Sequence, residues 1–191
     1  MVNNNKKAPS FNITKLLERK QISNELNYQR ALIADRQLKL LSKDDPTKKA
    51  MRNQLRTLIV QYENKVWNKV DKITTTQIQE SDTLEQVAER ERVFIQHRKE
   101  AIRKKLKQHR LTQEDLATLL GHKSKTHMSE LMNGLVPFTL RDLIIIHHTL
   151  HIKINALVPT FLSPTERKQV AQALHKLNKP TLALTEHLRT T

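Results

Sequence analysis

The side chains best suited to molecular recognition lie between the only two glycines of this chain, Gly121 and Gly134. The ammonium group of Lys125 can donate hydrogen bonds to O6 and N7 of guanine, and the carboxylate of Glu130 can accept one from N4 of cytosine. These groups can read the edges of bases, which is binding chemistry rather than bond-making chemistry.

Groups that could support catalysis or hold a metal form no recognisable set. His147 and His151 have the i, i+4 spacing that can bind zinc, but no acidic residue completes an H-E-x-x-H motif, so we interpret them as packing residues. There is no Ser/His/Asp set, no carboxylate pair and no glycine-rich phosphate loop, and the absence of cysteine excludes thiol chemistry. We therefore predict no enzyme activity, no metal and no cofactor.

The charge of the chain favours a polyanionic partner. Lysine and arginine number 34 against 19 acidic residues, a formal net charge of +15. Aromatic residues make up only 4%, whereas most modules that bind single-stranded RNA stack bases on aromatic rings. No apolar run approaches the roughly 20 residues of a membrane span, and no secretory signal is evident, so we expect a cytoplasmic protein without a membrane partner.

Two short helices separated by a tight turn are predicted around Gly121. "LTQEDLATLLG" is typical of a helix that begins after the N-cap Thr112 and stops at Gly121, because glycine adopts a left-handed backbone at low cost. Ala117 is small enough to let a second helix cross closely.

Ser124 is placed to cap the second helix, which Asn133 and Gly134 end. Met128 and Leu131 share one face of this helix and are expected to pack on the first helix. The opposite, outer face is predicted to carry Lys125, Thr126, Ser129 and Glu130. A short helix braced across a tight turn, with a polar outer face, is the helix-turn-helix design.

These residues resemble a known family. "LTQEDLATLLG", "MSELMNG" and "PFTLRDLIIIHHTL" are similar to the Cro/lambda-repressor (Xre) helix-turn-helix domain, whose five helices would occupy residues 98–160. "SELMNG" followed by "PFTL", with the upstream "RTLIVQYENKVW", most resembles the HigA-type antitoxins. The family pattern puts apolar residues at positions 127 and 130, whereas Met128 and Leu131 come one residue later, which implies an extra residue in the turn.

The resemblance implies a role for each polar residue around the turn. The first turn of the recognition helix would reach base edges through Ser124, Lys125 and Thr126, with His127 at its margin and Glu130 one turn on. Gln113 would touch a phosphate or buttress the reading helix. The remaining expected phosphate contacts are Lys123 and Arg141.

The other regions are expected to be helical as well, giving an all-α fold. We predict a disordered lead-in over 1–12, a helical region for dimerisation or partner binding over 13–97, the DNA-binding domain over 98–160, and a C-terminal helix and extended arm over 161–191. Expected helix starts are Asp45 with Pro46, Asp82 with Glu85, and Ser163 with Pro164 and Glu166. Aromatic residues of the N-terminal region serve its core or, alternatively, bind a partner protein through Tyr62, Glu63 and Trp67.

The favoured function is a sequence-specific repressor that binds a palindromic double-stranded DNA operator as a homodimer. The resemblance adds the hypothesis of an antitoxin that neutralises a toxin encoded beside it, in a HigBA-like pair that autoregulates its operon. The alternatives are a stand-alone phage-type regulator, or a basic helical scaffold or RNA-binding protein without sequence readout.

Overall fold

The computed structural model describes residues 11–43, 45–66, 68, 73–177 and 182. Its regular elements are all helical, which confirms the all-α prediction, and no strand occurs within those ranges. The described residues up to Leu157 form one compact unit, and those from Val158 onward form a second. The helices are α1 (Ile13–Arg19), α2 (Glu25–Leu41), α3 (Pro46–Val66), α4 (Thr75–Gln108), α5 (Gln113–Leu120), α6 (Lys125–Met132), α7 (Leu140–Leu150) and α8 (Pro164–Leu177), with one 3₁₀ turn at Ile154–Ala156.

Each of the first three helices is preceded by a residue whose side chain accepts hydrogen bonds from the free N–H groups of its first turn. Asn12 and Asn24 accept hydrogen bonds from backbone amides in the first turns of α1 and α2. The predicted start of α3 is confirmed, because Oδ1 of Asp45 accepts from the amides of Thr47 at 2.9 Å and Lys48 at 3.2 Å. Residues 1–10 of the predicted lead-in lie outside the described residues.

The last two residues of the predicted lead-in are ordered, so disorder over 11–12 was wrong. Phe11 packs against the core, and Asn12 is the N-cap of α1. A single apolar residue beside a capping asparagine is a weak sequence signal, and the cap is evident only once the helix it serves is seen.

The start of α4 was predicted wrongly. The helix begins at Thr75 after the N-cap Thr74, whose hydroxyl accepts from the amide of Gln77 while the Gln77 side chain accepts from the Thr74 amide. Asp82 and Glu85 are therefore interior residues of a 34-residue helix. The low helix propensity of threonine suggests a break in the helix at this run. Thr74 instead acts as an N-cap, and the free energy gained by capping exceeds the cost of the low propensity.

Three helices of the N-terminal half pack side by side. Early α2 pairs with late α3, and Arg52 of α3 binds Asp35 of α2 at 3.0 Å, so these two helices are antiparallel. The guanidinium of Arg30 in α2 binds the Glu91 carboxylate of α4 through two hydrogen bonds, of 2.5 and 2.7 Å. Such two-point pairs fix the register between helices.

The hydrophobic core of this half extends into the segment that follows α6. Leu135 is fully buried in it, and its carbonyl accepts a 2.8 Å hydrogen bond from the amide of Ile13 at the start of α1. The predicted boundary between 97 and 98 falls inside the continuous helix α4. The core residues are Ile13, Leu16, Ile22, Ala31, Ala34, Leu38, Leu55, Leu58, Ile59, Tyr62 and Leu135.

The C-terminal unit contains α8, whose predicted start is confirmed. The Ser163 hydroxyl accepts from the Glu166 amide at 3.2 Å, and the Glu166 carboxylate accepts from the Ser163 amide at 2.9 Å. Apart from Leu182, the predicted arm beyond Leu177 lies outside the described residues. Within the described part of the chain, no helix combines the length and apolar character that a bilayer span requires.

Candidate nucleic-acid interface

The turn between α5 and α6 is set by caps on both sides. Thr112 and Asp115 form a capping box that opens α5. Gly121 ends α5 with φ at +78°, and the amide of His122 donates to the carbonyl of Ala117 at 2.8 Å. This is the Schellman arrangement, which uses glycine because a Cβ disfavours the left-handed backbone.

The inner face of α6 packs as predicted. Ser124 caps the helix, since its hydroxyl accepts from the amide of His127 at 3.1 Å. Met128 and Leu131 are 1% and 2% exposed. Leu116 and Leu120 of the neighbouring α5 are also buried, and Met128 lines the groove between the two helices. The two eight-residue helices thus pack together across a short turn.

The first turn of α6 is open to solvent. Ser124, Lys125 and Thr126 are all exposed. Nζ of Lys125 lies 2.6 Å from Oε1 of Glu114 in α5, but these side chains are 78% and 64% exposed. An exposed pair of this kind contributes less than about 1 kcal/mol, so a stronger anionic or acceptor group can displace the carboxylate.

The predicted position of Glu130 on the outer face was wrong. Glu130 is 8% exposed, and its carboxylate forms an ion pair with the ammonium group of Lys48, which is 2% exposed in α3. Its second oxygen lies 3.7 Å from Nδ1 of His127. A carboxylate held inside by a lysine cannot accept a hydrogen bond from cytosine.

No sequence pattern indicates this pair, because its partners are 82 residues apart. A glutamate among polar neighbours is usually solvated. Burial of Glu130 is tolerable only because α3 approaches α6 and places the ammonium group of Lys48 beside the carboxylate. Position 130 therefore faces inward with a charged side chain.

A histidine of the turn approaches an aspartate of α7. Nε2 of His122 lies 3.3 Å from Oδ1 of Asp142 in α7, outside good hydrogen-bond geometry, while the other Asp142 oxygen accepts from the Thr139 amide at 2.9 Å. The rings of His122 and His127 meet edge to face at 5.1 Å. His127 is therefore partly engaged inside the domain, with 38% of its side chain exposed.

The remaining predicted contact residues flank the exposed turn of α6. Gln113, at the start of α5, lines the groove between α5 and α6 together with Lys123 and Lys125. Lys123 is exposed in the turn, and Arg141 is exposed in the first turn of α7. The structure thus brings Gln113, Lys123 and Lys125 to one groove.

The exit from α6 is tightly packed against α4. Gly134 has φ at +70°, and a Cβ built on it would lie 2.7 Å from Cγ2 of Ile95. Nζ of Lys99 donates to the Asn133 side chain at 2.7 Å. Burial, followed by repulsion from Arg103, lowers the pKa of Lys99. These contacts, with the Lys48 pair, fix the C-terminal end of α6.

Arg98 is a buried residue that the sequence analysis did not single out. Its guanidinium donates to the carbonyl of Leu157 at 3.3 Å and lies 5.2 Å from the Phe138 ring centre. Burial lowers its pKa to about 10, so it is still charged at neutral pH. Arg98 thereby connects α4 to Leu157, the last residue of the first compact unit.

The predicted partner-binding residues of α3 are engaged inside the protein where they are described. Tyr62 is 8% exposed, stacks on Tyr28 with ring centres 5.0 Å apart, and donates to Glu25 at 3.1 Å. Glu63 accepts from the Tyr28 hydroxyl at 2.8 Å. The partner-anchor interpretation of Tyr62 was therefore wrong and its core role is confirmed, while Trp67 lies outside the described residues.

The histidines of α7 serve local structure. Nδ1 of His147 lies 2.6 Å from the carbonyl oxygen of Ile152, which can only accept, so this nitrogen carries the proton. His151 is exposed and adopts φ of +51° at the end of the helix, so its interpretation as a packing residue was wrong. In the described ranges no cluster of three or more metal-binding side chains occurs.

Comparisons with known proteins give no relative from which a role can be taken. No protein-family model, no curated protein and no solved structure matches this chain.

Proposed function

We propose that the protein is a sequence-specific, double-stranded DNA-binding transcriptional repressor, and that the helices within residues 98–160 are arranged as in the five-helix Cro/lambda-repressor fold. The observation that carries the proposal is the contrast between the two sides of α6. Its first turn exposes Ser124, Lys125 and Thr126, while Met128 and Leu131 on its other side are buried. A helix held in this way can enter the major groove with its first turn foremost.

In this proposal Lys125 exchanges its exposed contact with Glu114 for O6 and N7 of a guanine. Ser124 and Thr126 supply hydroxyl groups to neighbouring base edges. His127 contributes at the margin, since part of its ring is turned toward His122. Glu130 has no reading role, because Lys48 holds it inside.

Residues beside the reading turn fix its register on the DNA. Gln113, Lys123 and Arg141 are assigned to the sugar–phosphate backbone, which positions a protein without specifying sequence. One exposed helical turn reads few base pairs. The protein therefore acts as a homodimer on a palindromic operator, with half-sites about one DNA turn, ~34 Å, apart.

The toxin-neutralising role is not part of this proposal. It rests on the resemblance of "SELMNG", "PFTL" and "RTLIVQYENKVW" to HigA-type antitoxins and stays a hypothesis, while of the α3 residues expected to bind a partner Tyr62 is buried and Glu63 is bonded to Tyr28. The charge of +15 also fits a non-specific basic protein. Sequence preference, rather than affinity for DNA, therefore distinguishes a specific repressor from a non-specific basic protein.

The proposal is tested by selecting bound duplexes from a random-sequence DNA library with the full-length protein. The expected result is a palindromic consensus with two half-sites about one turn apart. Recovery of sequences without any consensus, or equal binding of single-stranded RNA, would overturn the proposal.

Lys125→Ala is the residue-level test once a consensus is known. We expect it to relax the preference at one base position in each half-site, at a cost of about 1–3 kcal/mol per contact. Lys123→Ala is the matched control, because loss of a phosphate contact weakens all sequences equally. A uniform loss for Lys125→Ala, measured by competition titration against single-base variants of the site, would remove its reading role.

A further inference from the structure

The C-terminal end of α4 carries a concentration of positive charge that the proposed base readout does not use. Residues 103–110, "RKKLKQHR", contain five lysines and arginines and no acidic residue. Four of these cations are exposed: Arg103, Lys104, Lys107 and Arg110. We call these four residues the basic end of α4. No carboxylate in the described parts of the chain forms an ion pair with any of them.

Only the opposite face of this segment is buried in the protein. Arg98, Ile102 and Leu106, four residues apart, are buried. The cations lie on the solvent side, where Arg103 and Lys107 form a like-charged i, i+4 pair that destabilises a helix by a few tenths of a kcal/mol. Packing therefore does not explain why the residues of the basic end of α4 are lysine and arginine.

The helix dipole explains only part of the pattern. A cation in the last turn of a helix is stabilised by the partial negative charge there, and this covers Lys107. Arg103 and Lys104 lie more than one turn before the helix ends at Gln108, where the effect has decayed. Glu100, four residues before Lys104, offsets part of their repulsion, although its carboxylate also accepts a hydrogen bond from Gln96. An anion from outside the chain would relieve the rest.

Arg110 adds an observation from the backbone. It adopts φ of +56° at the end of α4, where the amide of Leu111 donates to the carbonyl of Leu106 at 2.8 Å. The ends of α5 and α6 adopt the same left-handed turn with Gly121 and Gly134. An arginine in this conformation carries a strain of about 1–2 kcal/mol that a glycine would avoid.

The basic end of α4 is adjacent in the chain to the proposed reading site. Arg110 comes two residues before the N-cap Thr112 and three before Gln113, which lines the groove between α5 and α6. From Arg103 to Arg110 the chain rises about 10 Å. One DNA strand presents about three phosphates over that distance, at 3.4 Å each along the axis.

We infer that the basic end of α4 is a phosphate-binding surface for double-stranded DNA, which extends the interface beyond the α5–α6 turn. The inference rests on the proposed function. It assigns affinity and salt dependence to Arg103, Lys107 and Arg110, and leaves sequence preference to the first turn of α6.

The test compares two triple variants of the full-length protein. Arg103→Gln, Lys107→Gln and Arg110→Gly remove three charges from the basic end of α4. The matched control, Lys39→Gln, Arg56→Gln and Lys65→Gln, removes three exposed cations from α2 and α3. Affinity for a mixed-sequence duplex a few turns long is measured as a function of salt concentration.

We expect the slope of log affinity against log salt to become shallower by about 2 to 3 for the α4 variant, since each phosphate contact contributes about 0.9. Affinity at about 0.1 M salt should fall on the order of a hundredfold. The control should keep the slope of the unmodified protein. Thermal unfolding of the α4 variant should match the control, because glycine is favoured at the backbone angle of Arg110.

Equal slopes for the two variants would overturn the inference and leave the proposed function standing. A shallower slope in the α4 variant, together with no consensus from the library selection, would overturn the proposed function and keep the phosphate surface. A loss of binding to anionic lipid vesicles or single-stranded RNA equal to the loss for duplex DNA would overturn the assignment to double-stranded DNA.

Discussion

The ion pair between Lys48 and Glu130 connects the N-terminal helices directly to the helix proposed to read DNA. Both residues are buried, and each is the charge that makes burial of the other tolerable. Its position at the second turn of α6 holds the inner side of the helix while the first turn stays exposed. At the scale of single residues, this pair determines which side chains of α6 can reach a ligand.

Removing one partner should be far more damaging than removing both. Lys48→Met leaves a buried carboxylate unpaired and is expected to lower the free energy of unfolding by about 3–5 kcal/mol. The double change Lys48→Met with Glu130→Met should recover most of that loss, because two apolar side chains of similar length fill the site. Urea denaturation followed by circular dichroism measures both.

The exposed pair Arg92 and Glu89 supplies the control for this cycle. Their side chains are 41% and 50% exposed, so Arg92→Met should change stability by less than about 1 kcal/mol. The single change Glu130→Met completes the cycle: if the losses of the two single variants simply added in the double variant, the two charges would not stabilise each other.

At the scale of helices and turns, the two glycines impose different constraints on α6. Both have positive φ, but the space around Gly121 is open within 4 Å, whereas a Cβ on Gly134 would lie 2.7 Å from Ile95. The turn before α6 therefore needs glycine only for its backbone. The turn after α6 needs it also for close packing on α4.

Alanine at the two positions separates these effects. Gly121→Ala should cost about 1–2 kcal/mol from backbone strain alone. Gly134→Ala should cost about 1–3 kcal/mol more because of the collision with Ile95. Adding Ile95→Ala should rescue part of the loss at Gly134 and none at Gly121, as measured by denaturant titration. Equal costs at both positions would contradict the packing argument.

The contact between α2 and α3 makes stability depend on pH in alkaline solution. Burial first, then hydrogen bonding and repulsion from Glu63, raises the pKa of Tyr28. Burial and the nearby Glu25 likewise raise the pKa of Tyr62. Both phenols therefore keep their protons in the folded state at pH values where they ionise in the unfolded chain.

The sign of the effect follows from proton counts. Below about pH 10 both states hold the protons, and the stabilisation is fully present. As pH rises past 10 the unfolded state binds fewer protons, so stability falls by at most about 1.4 kcal/mol per pH unit for each tyrosine. Tyr62→Phe should reduce that slope in urea titrations at several pH values. An unchanged slope would show that Tyr62 ionises equally in both states.

At the scale of the whole molecule, the proposed DNA-binding segment and the N-terminal helices belong to one compact unit. Helix α4 runs through both, Leu135 is buried among the N-terminal core residues, and Lys48 pairs with Glu130. Cutting the chain between the two halves of this unit exposes apolar surface and separates Lys48 from Glu130, so that each fragment carries one unpaired charge.

A fragment of residues 98–160, cut at the boundary expected from the sequence, should therefore fail to fold independently. We expect weak helical circular dichroism, no cooperative thermal transition and no preferred duplex. A chain of residues 11–160 is the control and should retain a cooperative transition. A cooperatively folding 98–160 fragment would show that the two halves are separable domains.

What the sequence determined by itself was local. Helix periodicity and capping chemistry act over three to four residues, so Thr112, Ser124 and Ser163 were placed correctly as caps, with Gly121 as the end of α5. The all-α class and the inner face of α6 followed from the same short-range patterns. The start of α4 was missed because Thr74 and Asp82 both carry capping side chains, and the choice between them depends on packing.

Only the tertiary structure decided which polar residues face solvent. Glu130 and Lys125 are both charged residues of one short helix, yet Glu130 is buried by a lysine from α3 and Lys125 is open. Tyr62 turned inward because Tyr28 and Glu25 of α2 surround it. Burial of a charge or a hydroxyl requires a partner in three dimensions, and partners 37 to 82 residues away leave no periodic trace in the sequence.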